Sequence, residues 1–168
     1  MSRTLKAIGF SNALVEQSVA HLLNSNTLCS IATASPDGNP HINTCFYAPG
    51  GVDRIYILTP PQTIHSLNLL RNPFVAISIF DSHQVSGAEL RGLQVFGRCH
   101  RADDATEHPE VFEAYTARFT NIREYAPDAA TMLKVFESRL YVIEVDSLKV
   151  FDEPMFGKEV WVTAVVAD

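Results

Sequence analysis

Three short β-type runs crowd into residues 28–58, and that crowding limits the folds open to the chain. They are Leu28 to Thr33, His41 to Tyr47 and Arg54 to Leu58. Ser35-Pro36-Asp37-Gly38 separates the first two, and Pro49-Gly50-Gly51 separates the next two. Proline pre-sets φ and glycine accepts positive φ, so both segments are tight turns. Consecutive strands joined this way form an antiparallel meander. A fourth run, Val75 to Phe80, shows no clear alternation and is expected to be buried on both faces. Leu90 to Arg101 is a long fifth strand and Arg139 to Val145 a sixth. Leu148 to Phe151 and Val160 to Val166 are further β-rich ends.

Helical spacing appears between these runs. Leu14, Val15, Val19, Leu22 and Leu23 recur on one face, which predicts a helix over about 12–24 with Ser11 as its cap. A short helix is predicted over Gln62 to Leu70. Thr59 is placed to cap it, and Pro60 or Pro61 sits in its first turn, where no N–H is needed. Two more helical patterns cover Pro109 to Phe119 and about Asp128 to Glu137. Strands clustered at short spacing favour an antiparallel barrel with peripheral helices over a doubly wound sheet. The fold class is therefore mainly β: one domain over 1–168, with barrel strands at about 27–101 and 139–166 and a helical insertion at about 104–137.

Composition narrows the function classes. Of the 168 residues, 46% are hydrophobic and 19% charged, as in ordinary globular chains. A net charge of −6 without any Lys/Arg run argues against nucleic-acid binding. No segment approaches the ~20 apolar residues that a membrane-spanning helix needs. The N-terminal stretch lacks an apolar core of signal-peptide length, so a cytoplasmic protein is expected. Cys29, Cys45 and Cys99 are odd in number and far apart, consistent with packed free thiols in a reducing compartment.

Most catalytic signatures are missing. No two of the six histidines stand at i, i+4 on one helix, and there is no CxxC or HExxH, so no metal site is expected. There is no G-x-S-x-G, no G-x-G-x-x-G and no P-loop. "RGLQVFGR" places Gly92 and Gly97 inside a strand, which fits a barrel corner or a close ligand approach. The turn "LTPPQTIHS" stands apart from these. A strand ending in hydroxyls at a helix start exposes unpartnered N–H groups that suit an anion. Thr59, Thr63 and His65 are the side chains that converge there. Spacing alone fits a capped surface helix with an incidental histidine better than an anion site.

The surroundings of that turn add a resemblance. "RIYILTPPQTIHS" followed by "RNPFVAISIF", and later "LQVFGRCHRADD" and "RLYVIEVDSLKVFDEPMFGKEVWV", resemble the pyridoxamine 5′-phosphate oxidase-like split-barrel superfamily, especially its small uncharacterised bacterial members. The resemblance implies a six-stranded split barrel that forms a homodimer with FMN in a groove between subunits. It implies phosphate contacts from Thr59, Thr63 and His65, with Leu58 adjoining them. It puts Asn43, Thr44, Cys45 and Phe46 beside the flavin ring and Gln94 and Trp161 at the ring's edge. The implied activity is a flavin-dependent oxidoreductase acting on a small-molecule substrate or electron donor. The alternatives on the same scaffold are non-catalytic binding of flavin, haem or a deazaflavin, and a structural dimer without cofactor.

The departures from the family pattern concern charge. The family oxidase has basic residues where this chain has Asn43, Ala48 and His65. Arg54, Arg91, Arg98 and Lys158 are the cations available to compensate. A bound phosphate would also raise the pKa of His65 toward the charged form. The Arg-x-His tail that grips pyridoxal phosphate is absent, so true pyridoxamine phosphate oxidation is not expected.

Overall fold

The structure is a computed structural model that describes residues 3–102 and 109–167. In chain order its elements are β1 (Thr4–Ala7), α1 (Asn12–Ser25), β2 (Leu28–Ala34), β3 (Pro40–Pro49), β4 (Arg54–Thr59), α2 (Ile64–Leu69), β5 (Phe74–Ile79), β6 (Arg91–Arg101), α3 (Pro109–Arg118), α4 (Ile122–Tyr125), α5 (Ala129–Val135), β7 (Arg139–Asp152), α6 (Glu153–Phe156) and β8 (Trp161–Ala167). The strands run β7-β4-β3-β2-β5-β6, and β6 pairs back onto β7, closing a six-stranded antiparallel barrel. β8 and β1 extend one side of β7 as two additional strands.

The period of two decides which residues fill the barrel. Ile31, Tyr47, Ile55, Ile57, Ile77, Val95 and Ile143 point inward and form the main core. Burying an isoleucine of this kind contributes about 1.5–3 kcal/mol. Opposite residues of β3, β4 and β7, including Ala48, Tyr56, Leu140 and Val142, form a second core beneath α3 and α5. Arg118 fastens these insertion helices to the barrel. Its guanidinium donates to the carbonyls of Leu23, Asn24 and Asn26 at the end of α1 and lies over the Tyr47 ring. The last turn of α1 carries no basic residue of its own, so Arg118 supplies that charge from another element.

Several local expectations are corrected. β5 alternates strictly between exposed or half-buried and buried residues rather than being buried on both faces. Its outer residues face away from the core, and Phe74 is 64% exposed. α2 starts at Ile64 with Thr63 as its N-cap, so Thr59 ends β4 and does not cap the helix. The two runs 139–145 and 148–151 are one strand, β7. The register of β6 and β7 shifts between Phe96 and Gly97, and Asp146 is the residue left without a partner. Gly97 is the barrel corner: a Cβ there would meet the Glu144 carbonyl oxygen at 2.1 Å. β1, α4 and α6 had no signal in the sequence reading. Residues 104–108 of the expected insertion lie outside the described residues.

A candidate flavin site and an uncovered sheet face

Thr59, Thr63 and His65 do come together, but they bond to one another. His65 Nε2 lies 2.7 Å from Thr59 Oγ1 and 2.9 Å from Thr63 Oγ1. The Thr63 hydroxyl is in donor geometry to the Pro60 carbonyl at 3.0 Å and to Ser66 Oγ at 2.8 Å. Ser66 Oγ in turn donates to the Pro60 carbonyl. His65 and Thr59 are each only 4% exposed. Asn68 Nδ2 donates to Thr33 Oγ1 on β2, so α2 is tied to the barrel wall by a polar contact. Its remaining buried face is Leu69, which joins the main core.

Burial, then the parallel ring of His41 at 6.0 Å, pushes the His65 pKa below the usual imidazole value. The turn thus holds a neutral imidazole at neutral pH. Two of the candidate compensating cations are paired elsewhere. Arg91 Nε pairs with buried Asp152 at 3.1 Å, and Arg98 pairs with Asp146 at 2.9 Å. Arg139, the β7 partner of Thr59, donates to the carbonyls of Phe136, Glu137 and Ser138.

The four β3 residues split between two faces. Asn43 and Cys45 are half-buried on the inner side, while Thr44 and Phe46 are exposed. Cys45 Sγ lies 3.8 Å from Cys29 Sγ across the β2–β3 pair. That contact, and then burial, raises the Cys29 pKa. Burial pushes Cys99 up to about 12. These are packed thiols, and all three cysteines are free. Leu58 is half-buried against the insertion helices. Gln94 is half-buried on β6, and Trp161, 49% exposed, stacks on Phe151 with ring centroids 4.7 Å apart.

Strand register shows what sequence reasoning missed. Thr44 pairs with Ser30, Ser30 with Ser78, Ser78 with Gln94, Gln94 with Lys149, and Lys149 with Thr163. These six form one polar row straight across the outer face of six strands. Thr44 Oγ1 and Ser30 Oγ are 3.3 Å apart within it. A mostly apolar row runs along one side through Ile42, Ala32, Ala76 and Phe96, then Ser147 and Val165. The other side carries Phe46 and Leu28 at one end and Phe151 and Trp161 at the other. Ile42 (68%), Phe74 (64%) and Phe46 (53%) are among the exposed large side chains of this face. These strands include five of the six in the closed barrel, so the rows form a band that curves around the barrel rather than one flat patch.

A model of the pyridoxamine 5′-phosphate oxidase family matches residues 15–146. The chain belongs to that family. Among solved structures it is similar to a heme binding protein from Mycobacterium smegmatis (TM-score 0.68, 16% identity, covering 94% of this chain and 59% of that one). It is also similar to a heme storage protein from Vibrio cholerae (TM-score 0.62, 16% identity, covering 77% and 89%). A third is a Clostridium acetobutylicum protein related to general stress protein 26 of B. subtilis, of the pyridoxinephosphate oxidase family (TM-score 0.59, 13% identity, covering 92% and 93%). At such identities the likeness concerns the fold. No curated protein matches the chain. Among the described residues no helix is long and apolar enough to cross a membrane, and no group of three or more His, Cys, Asp or Glu is placed to hold a metal ion.

Proposed function

We propose that the chain is an FMN-binding homodimer whose outer sheet face is the subunit interface, and that it works as a flavin-dependent oxidoreductase. The observation that carries this reading is the polar row enclosed in an uncovered apolar face. The hydroxyls of Thr44, Ser30 and Ser78 and the amide of Gln94 suit the carbonyl and N–H edge of a flavin ring. The apolar rows beside them suit its flat faces and a second subunit. A bound flavin would supply hydride or electron transfer. The protein's part is to orient the ring from β3 through Thr44 and Phe46, the two of the four β3 residues on the outer face, and to exclude water between the subunits.

Gln94 on β6 and Trp161 on β8 are each three strand steps from Thr44 on β3, about 14 Å along the sheet at ~4.8 Å per step. In the proposed dimer Trp161 closes the edge of the ring. At the proposed phosphate end, Thr59, Thr63 and His65, with Leu58 beside them, bond to one another and include no cation, so a phosphate would have to replace those contacts. A phosphate held there gains less than one gripped by arginine, so FMN binding is expected to be weaker than in a basic site. Neither the missing basic positions nor the fold supports pyridoxamine phosphate as the substrate.

The test is Ala76→Arg, which places a charge in the middle of the apolar row without touching the barrel interior. Light scattering should show a dimer for the wild type and a monomer for the variant, and flavin retained after desalting should fall with it. A variant that stays dimeric with full flavin retention contradicts the assignment of this face. Haem binding is a second reading, favoured by exposed His83, whose Nδ1 sits 3.0 Å from Asp81 and so leaves Nε2 available. A Soret band in the purified protein would select it.

A further inference from the structure

Arg91 is a cation that the flavin contacts leave unused, and more side chains fix it than an exposed arginine needs. Gln84 clamps its main chain on both sides. The Arg91 N–H donates to Gln84 Oε1 at 2.5 Å, and Gln84 Nε2 donates to the Arg91 carbonyl at 2.9 Å. Asp152, its partner in the β6–β7 register, accepts from Arg91 Nε at 3.1 Å. Asp152 is only 2% exposed, and its other oxygen accepts from the Ser18 hydroxyl on α1 at 2.6 Å. Both carboxylate oxygens are therefore engaged. The guanidinium is bonded only through Nε among the described residues, and Arg91 is exposed. Its terminal nitrogens form the edge that forks onto a planar anion.

Arg91 opens onto a cavity of about 300 Å³ between α1 and α6, at the small end of the range for ligand pockets. Gln17 and His21, one turn apart on the exposed face of α1, bring an amide and an imidazole to it. Pro154 and Met155 of α6 are its apolar wall. The Phe10 and Phe156 rings, with centroids 5.3 Å apart, tie the start of α1 to α6 and hold the two walls together. No lining residue is among the flavin contacts. By the period of two, Arg91 and Asp152 project to the other face of the sheet from their neighbours Gly92 and Phe151. A phosphate or dicarboxylate would bring two charges to one guanidinium already paired with Asp152. A monocarboxylate brings one, matches the free fork, and can lay an apolar body on Pro154 and Met155. An organic ammonium would face Arg91 while both Asp152 oxygens are taken. We infer that this cavity is a binding site for a compact monocarboxylic acid with an apolar body, gripped by Arg91 and assisted by Gln17 and His21. The site is independent of the flavin reading.

Benzoate and its neutral isostere benzamide test this. Each is titrated into the purified full chain at fixed ionic strength and followed by two-dimensional amide NMR, with and without saturating FMN. Benzoate should shift the resonances around Gln17, His21, Arg91 and Met155, and benzamide should bind at least tenfold more weakly. Arg91→Gln should erase that preference. Arg91→Lys keeps the charge without the fork and should restore only part of it. Gln17→Ala and His21→Ala change exposed residues outside the Asp152 network, so the test does not depend on the Arg91 variants folding. Each should weaken benzoate by about two- to tenfold, the loss of one hydrogen bond. Equal affinity for the two probes, no shift with benzoate, or benzoate binding unchanged in Arg91→Gln overturns the site. Displacement of benzoate by FMN also overturns it, because the cavity would then belong to the flavin. Benzoate binding in a chain that never retains FMN upholds the site and removes only the flavin reading.

Discussion

Replacing Gly97 by alanine should cost far more than a surface methyl normally does. The added Cβ would stand 2.1 Å from the Glu144 carbonyl oxygen and 3.0 Å from its carbon. Both are backbone atoms of β7, so no side chain can swing aside. An ordinary contact needs about 1 Å or more of additional separation at the one place where the β6–β7 register already shifts. Overpacking of this kind costs about 1–3 kcal/mol, and weakening two ladder hydrogen bonds adds about 1 kcal/mol each. The sum is about 4 kcal/mol out of the roughly 5–15 kcal/mol that holds a domain folded. With a urea m-value of about 2 kcal/mol/M, the unfolding midpoint should fall by about 2 M. Gly92→Ala in the same strand is the control. Its nearest neighbours are Phe80 Cβ at 3.8 Å and Ile79 O at 3.9 Å, ordinary contacts, so its midpoint should move by less than about 0.3 M. Both are compared at one protein concentration, because dimerisation would add to apparent stability. Equal midpoints for the two variants would refute the corner assigned to Gly97.

Arg118→Ala removes three carbonyl contacts at the end of α1, and should cost about 2 kcal/mol, or a fall of about 4–8 °C in thermal midpoint. Arg118→Lys should recover only part of that loss, because lysine cannot fork between acceptors. The pH dependence of stability carries a sign set by His65. Its folded pKa lies below the ordinary value of 6.5, so between those two values the unfolded chain binds the extra proton. His65 therefore favours folding fully above about pH 6.5, and that contribution declines as pH falls through the folded pKa. Urea unfolding at pH 8 and pH 5 should show a smaller difference for His65→Gln than for the wild type, and an equal or larger difference would contradict the burial assigned to this ring.

The barrel was legible because its evidence is local. Turn chemistry at Ser35-Pro36-Asp37-Gly38 gave one hairpin, and Gly38 does adopt φ +85°. Alternation over 28–58 located β2, β3 and β4 to within two residues. β1 was missed because its four residues gain strand character only by pairing with β8. The continuity of β7 was missed because Asp146-Ser147 reads as a break, while its cause, the shift at Gly97, lies some fifty residues earlier in sequence. Thr59, Thr63 and His65 were found as a cluster because they share one turn. That they satisfy one another depends on the burial of α2, which no spacing reveals. Thr44 and Gln94 were singled out separately. Their common row with Ser30, Ser78 and Lys149 follows from register, and register is set by pairing between distant strands.

The central claim is that the outer face of the barrel holds FMN between two subunits. The most direct measurement is the absorbance spectrum of the purified protein after FMN has been added and the excess removed by desalting. Flavin bands that survive, close to one per subunit, are the predicted result. A protein that stays colourless would contradict the claim and leave a dimer without flavin, or the haem reading, to be pursued.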